Sequence, residues 1–164
     1  MSASVPRVFL EEGHHGSETC VIEQGAVGGI PLPGFGFGCA ANADACVASP
    51  HQFSHFRAGA LDASLLSFLE IGADGSVNVS RLAVTAHRTT GAGEFVDITA
   101  RARRIVFSGT FNAGAKMSVD AGKVKTDQEG RVARIVPMVD QTSFSGTRAV
   151  ETKQEVTCVT ERCV

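Results

Sequence analysis

Within twenty residues near the N-terminus the chain changes character, and this change constrains its fold more than any other feature. Thr19 to Glu23 is a short β-prone run. It gives way at once to Gly25, Gly28, Gly29, Pro31, Pro33, Gly34, Gly36 and Gly38. Clustered glycines without side chains bring backbone close to a ligand or to other backbone. Glu23 therefore stands where a strand ends and a loop begins, the place at which α/β sheets bind ligands. The glycine excess is general, 18 in a chain with no Trp and no Tyr.

At 164 residues the chain has the length of one domain, read here as a single domain over 1–164. With 43% hydrophobic and 20% charged residues it falls near the globular average, and its net charge of −2 offers no basic field for nucleic acid or anionic lipid. No apolar run reaches the ~20 residues of a membrane span, and Met1 to Leu10 lacks the order of a signal peptide, so no membrane partner and a cytoplasmic location are expected. Cys20, Cys39, Cys46, Cys158 and Cys163 show no Cys-x-x-Cys spacing and read as ordinary thiols. His51 and His55 could share a helix face, but Phe53 and Phe56 interrupt them and no acidic third ligand recurs nearby. His14, His15 and His87 add no pattern, and no metal is expected.

Along the chain, Ala40 to Val47 is small and helix-compatible. Leu65 to Ile71 and Val77 to Leu82, joined by Gly72-Ala73-Asp74-Gly75-Ser76, predict a hairpin. Ile105-Val106-Phe107, preceded by Arg101, Arg103 and Arg104, predicts a buried central strand. Ala115 to Val139 alternates, with turns at Asp120-Ala121-Gly122 and Gln128-Glu129-Gly130, and predicts an antiparallel meander. Glu155 to Val164 reads as a final strand that stops without a turn, as a domain incomplete at its ends would. The expected fold class is α/β, a mostly parallel central sheet flanked by helices with a smaller antiparallel hairpin region.

The segment Val21-Ile22-Glu23-Gln24-Gly25-Ala26-Val27-Gly28-Gly29-Ile30-Pro31 resembles the catalytic segment of family I coenzyme A transferases. Asn78-Val79-Ser80, Phe95-Val96-Asp97-Ile98-Thr99, Val106-Phe107-Ser108-Gly109-Thr110-Phe111, Thr142-Ser143-Phe144-Ser145-Gly146 and Thr160-Glu161-Arg162 look like the acetate, propionate and 3-oxoacid branch, in its order. The resemblance is to the C-terminal, β-subunit-like half. It implies that Glu23 is the acyl-accepting carboxylate, that coenzyme A is a substrate with no permanently bound cofactor, and that an α-like half or subunit and an oligomer complete the enzyme. Gly91-Ala92-Gly93-Glu94-Phe95 matches the family's oxyanion-forming loop, so Gly91 and Gly93, with Gly25, Gly28 and Gly29, are candidates to lie near the oxyanion or coenzyme A. Gly34, Gly36, Gly38 and Asn78 are weaker candidates. Glu94 replaces a usual glycine, and Ala58 and Ala60 replace two more around Gly59. A carboxylate beside an oxyanion site repels the charge to be stabilised, and a side chain at 94 conflicts with the backbone angles a glycine allows. Arg101, Arg103 and Arg104 read as a charged approach to a strand, and Asp62 and Asp97 as structural acids. A catalytically silent partner that binds coenzyme A or another subunit, and an acyl-CoA hydrolase, are the alternatives. The acyl group is not legible in the residues.

Overall fold

The computed structural model describes residues 5–14, 16–82 and 89–160. His15, His87, Cys163 and the end of the Thr160-Glu161-Arg162 motif lie outside the described residues, and so does the side chain of Thr160.

The core forms around one parallel ribbon. Strand β8 (Arg104–Gly109) lies between β5 (Ala63–Leu66) and β14 (Glu155–Thr160), parallel to both. Ile105 and Phe107 alternate inward along β8, as the period of two requires, and both are buried. Phe107 packs against Phe95 and Phe144, with ring centroids 6.1 and 5.6 Å away, spacings at which aromatic pairs attract beyond their buried area. Helix α3 (Phe95–Arg101) covers this sheet through Phe95 and Ile98, and α4 (Gly146–Glu151) through Ala149. The last turn of α3 leaves carbonyls unpaired within the helix. Gln154 resolves two nearby ones, its Nε2 donating to the carbonyls of Thr99 and Ala102, each at 2.8 Å. The expected central strand at Ile105-Val106-Phe107 and the final strand over 155–160 are both present.

A second small sheet joins β13 (Ile135–Val136), β6 (Glu70–Gly72) and β7 (Val77–Asn78). The turn at 72–76 does close a hairpin, pairing Ile71 with Val77. Asp74 caps it, accepting from the Ser76 amide at 2.9 Å and the Ser76 hydroxyl at 2.8 Å, and these bonds hold its carboxyl below the usual range. The expected hairpin is shorter than Leu65 to Leu82, because Leu65 and Leu66 belong to β5. One apolar run was thus divided between two sheets, and hydrophobicity carries no mark of that division.

The expected meander needs a similar correction. β10 (Lys116–Asp120) and β11 (Lys123–Gln128) do form an antiparallel hairpin across Ala121-Gly122. Past Gly130 the chain leaves the ribbon: β12 (Val132–Ala133) pairs with β9 (Asn112–Ala113), and β13 runs parallel to β6. Ala40 to Val47 is not a helix either. β3 (Ala40–Ala41) pairs with β2 (Ile30–Pro31), and β4 (Ala45–Cys46) pairs with β1 (Ala26–Val27). Alanine's helix preference is a weak prior, and here the ladder with the glycine-rich segment overrides it. Helix begins later, at α2 (Ser49–Arg57), with Pro50 in its first turn. A short helix α1 (Val5–Glu11) packs beside β2.

Candidate functional site

Residues 25–47 form an arm that folds back on itself, and its glycines permit the close approach. A side chain on Gly25 would place its Cβ 2.0 Å from the Val47 carbonyl oxygen, and one on Gly29 would meet the Ala41 oxygen at 2.3 Å. Both have positive φ, +112° and +69°. Gly28 would meet the Asp44 carboxylate. The amides of Gly25 and Gly28 donate within the chain, to the carbonyls of Ile22 at 2.9 Å and Cys20 at 2.8 Å. For Gly25 and Gly28, backbone packing thus accounts for both the missing side chain and the N–H.

Glu23 occupies the tight turn at the root of this arm. Val21 bridges Val27, the Ile22 amide donates to Ala26 at 2.9 Å, and Gly25 closes the turn. The strand expected to lead into Glu23 is therefore a single bridged residue. From the other side Gln52, buried in α2, donates through Nε2 to the Ile22 carbonyl at 3.4 Å. Nothing in the sequence distinguished Gln52 from its neighbours His51 and Phe53. Its role depends on which side of α2 meets the turn.

The half-buried Glu23 carboxylate accepts one hydrogen bond, from Gln24 Nε2 at 3.2 Å. Gly38 backs this contact, since a Cβ there would sit 3.0 Å from the Gln24 amide carbon. Gly34 and Gly36 form the single 3-10 turn beyond it, where Phe35 and Phe37 are exposed.

Glu94 begins α3, and α3 is locked to α2 by the Arg57–Asp97 ion pair. One helix supports the Glu23 turn and the other presents Glu94, so the two carboxylates are brought into electrostatic range. Burial first, and the negative charge of Glu94 second, push the Glu23 carboxyl above its ordinary 4.5, with the Gln24 hydrogen bond opposing. Glu94 itself lies at φ −82°, an ordinary conformation, so the expected backbone conflict at that position does not arise. Gly91 and Gly93 do take positive φ, and space is open where their side chains would be. The Gly91 amide donates to Ser80 at 3.3 Å, whereas among the described residues no acceptor engages the Gly93 amide.

The raised Glu23 value has a consequence for stability. A group whose proton affinity is higher in the folded state makes folding less favourable as pH rises through the window above its unfolded value. Glu23→Gln should therefore stabilise the chain at pH 7, and the gain should shrink as pH falls below 4.5, where both states of the wild type are protonated. Urea unfolding at the two pH values measures this. A gain of equal size at both would show that ionisation is not its cause.

The other candidate residues are placed in the framework. Asn78 is fully buried; its Nδ2 donates to Glu70 Oε2 at 2.7 Å and to the Arg81 carbonyl, and its Oδ1 accepts from the Ser80 amide at 3.0 Å. Glu70 Oε2 also accepts from the Asp140 amide at 2.9 Å. Breaking such a buried pair by removing one partner costs ~3–5 kcal/mol if the carboxyl is charged. Asp97 is structural, through Arg57. Asp62 faces Arg103 at 3.3 Å and Arg104 faces Glu155 at 3.0 Å, exposed pairs that contribute little. Ala58 has φ −72° and Gly59 carries the positive φ that ends α2, so alanine fits at Ala58, and Ala60 likewise is not at positive φ. His51 and His55 are exposed on α2, and among the described residues no three His, Cys, Asp or Glu side chains gather as metal ligands would. Cys20, Cys39, Cys46 and Cys158 are free thiols, and no described helix is long and apolar enough to cross a membrane.

No protein-family model matches the chain. It is 34% identical over 164 residues to a caffeate CoA-transferase of Acetobacterium woodii, covering 99% of this chain and 31% of that protein. It is 36% identical over 158 residues to the acetate CoA-transferase YdiF of Escherichia coli K12, covering 96% and 29%. The crystal structure of the acyl-CoA transferase YdiF apoenzyme from Escherichia coli O157:H7 superposes with a TM-score of 0.84 at 32% identity, again over 96% of this chain and 29% of that one. A thioester complex of that enzyme with CoA gives 0.85. The AibA/AibB decarboxylase, at 16% identity and a TM-score of 0.58, shares the fold alone. The chain thus spans under a third of the length of the curated relatives it matches.

Proposed function

We propose that this chain, which is related in sequence and in fold to the coenzyme A transferases over nearly all of its length, carries the acyl-accepting carboxylate Glu23 for moving coenzyme A between short-chain carboxylic acids. The observation that carries the reading is Glu23 itself. It sits in a fixed turn with raised proton affinity, inside the segment that resembles the family's catalytic one.

The exchange follows from carboxylate chemistry. The Glu23 carboxylate attacks the thioester carbonyl of an acyl-CoA, forming a mixed anhydride and releasing CoA thiolate. The thiolate attacks the glutamyl carbonyl, freeing the first acid and leaving a glutamyl-CoA thioester. A second acid then runs the two steps in reverse. The acyl group stays activated throughout, so no ATP is consumed. Half-burial strips water from the nucleophile, and a carboxylate of raised basicity is a better one. The Gly93 amide, with Gly91 beside it, is the donor we assign to the developing oxyanion. No permanently bound cofactor enters this scheme. The relatives act on acetate and on caffeate, so the acids in play extend from the acetate, propionate and 3-oxoacid class to aromatic ones. An α-like half would complete the pocket, and the cytoplasm is the compartment for such exchange.

Glu94 favours a second reading, a silent partner that binds coenzyme A or another subunit without turnover, because its charge opposes an oxyanion nearby. A hydrolase, in which water replaces the second acid, shares the same first steps. One experiment separates the three. The chain is mixed with an α-like half from a relative and supplied with acetyl-CoA and propionate, and the products are identified. Propionyl-CoA is the expected product, free CoA with acetate marks hydrolysis, and neither product marks the silent partner. Glu94→Gly should raise the transfer rate about 10- to 100-fold by removing a charge worth a few kcal/mol at the oxyanion, and lower the pH at which Glu23 becomes active. No change on both counts would place Glu94 outside the chemistry.

A further inference from the structure

The β10–β11 ribbon stands clear of the core, with every residue of both strands exposed. It is nonetheless amphipathic. Pairing puts Met117, Val119, Val124 and Thr126 on one face and Ser118, Asp120, Lys123 and Lys125 on the other. Val119 and Val124 are 73% and 67% exposed, an unusual cost for an apolar face to carry unpartnered. Among the described residues β10 has no neighbour on its outer edge.

From this edge we infer that β10 pairs antiparallel with β10 of a second copy about a two-fold axis at Ser118. The hydrogen-bonding pattern sets the register. Ala121 and Gly122, both at positive φ, make a two-residue turn, so the flanking pair Asp120 and Lys123 exchanges both bonds. The pattern alternates from there, and the N–H and C=O of Val119 and Met117 point away from β11. A two-fold axis at Ser118 sets Met117 opposite Val119 of the copy, so these free groups satisfy one another. In the same register Lys116 faces Asp120 of the copy, twice by symmetry, and neutral Ser118 faces itself. The outer edge of β11 offers no equivalent. Its free groups belong to Val124 and Thr126, and a two-fold axis between them sets Lys125 against Lys125, like charges directly opposite. The sequence Lys116-Met117-Ser118-Val119-Asp120 is therefore complementary to its own reverse in charge, size and hydrogen bonding, as an isologous contact requires. The pairing yields a four-stranded sheet with a continuous apolar face and removes an open edge. It does not rest on the chemistry at Glu23, since no ribbon residue lies among those placed around that carboxylate.

Charge reversal tests it on the full chain by sedimentation equilibrium. The wild type should dimerise. Lys116→Asp and Asp120→Lys, each placing like charges opposite, should each weaken the dimer about tenfold, and the double swap K116D/D120K should restore it. A second readout uses Ser118→Cys, because residues facing one another across a two-fold at a non-hydrogen-bonded site have Cα atoms ~4.5 Å apart, within disulfide reach. Oxidation should give a dimer whose cross-link maps by peptide mass to position 118, although Cys39 and Cys46 are also exposed. A wild type that stays monomeric to about millimolar concentration would overturn the inference. So would a swap that fails to restore association, or a cross-link that maps elsewhere.

Discussion

Glu23→Ala should abolish the covalent coenzyme A adduct and reduce transfer by at least about 10⁴-fold in a reconstituted enzyme, with the fold intact. The size follows from the role. A residue that bonds to the substrate has no substitute in its site, whereas a residue that orients or polarises leaves part of the rate behind when it is lost. Glu23 contributes little to packing. Its carboxylate accepts a single hydrogen bond, from its neighbour Gln24, and the turn around it is held by backbone bonds and by Gln52. Removing it should even relieve the cost of a half-buried charge, so loss of activity cannot be ascribed to unfolding. Intact-mass measurement after incubation with acyl-CoA and an α-like half reads the adduct. An adduct of coenzyme A mass on the alanine variant would assign the nucleophile to another residue.

The chain alone should show no measurable transfer from acetyl-CoA to propionate. Glu23 is open at the surface, and the described residues around it are its own turn, α2 and the start of α3. A thioester must be held within roughly 3 to 3.5 Å of the attacking oxygen, and such positioning is worth about 7 to 11 kcal/mol of the barrier. The relatives draw on more than three times this length of chain, which supplies surfaces this one lacks. Adding an α-like half should restore turnover by many orders of magnitude. Robust turnover by the purified chain would mean that a second copy closes the pocket. The two-fold ribbon would then be the first place to look.

Glu23 and Glu94 divide what is local from what is not. Glu23 announced itself within eleven residues, because a carboxylate between a β-prone run and clustered glycines is a pattern in adjacent positions. Its neighbourhood did not. Glu94 lies on another helix, and its approach depends on the Arg57–Asp97 pair joining α2 to α3, residues forty apart. Gln52 carries no local signal, since any polar residue on α2 would read the same until its buried side is known. The glycines show the limit from the other direction. Their abundance required close approach, yet at Gly25, Gly28 and Gly29 what comes close is the chain's own arm.

By itself the sequence determined the α/β class, the buried central strand at Ile105 to Phe107, the turns at 72–76 and 120–122 and the carboxylate at Glu23. Each of these depends on residues within one strand or one turn, where side-chain period and backbone angles act directly. The tertiary structure alone decided which strands became neighbours. Ala40 to Val47 became two strands instead of a helix, Leu65 and Leu66 left the hairpin for the parallel sheet, and the meander broke after Gly130. Those choices are made by long-range burial and pairing, whose energies exceed the tenths of a kcal/mol by which local preference distinguishes one state from another.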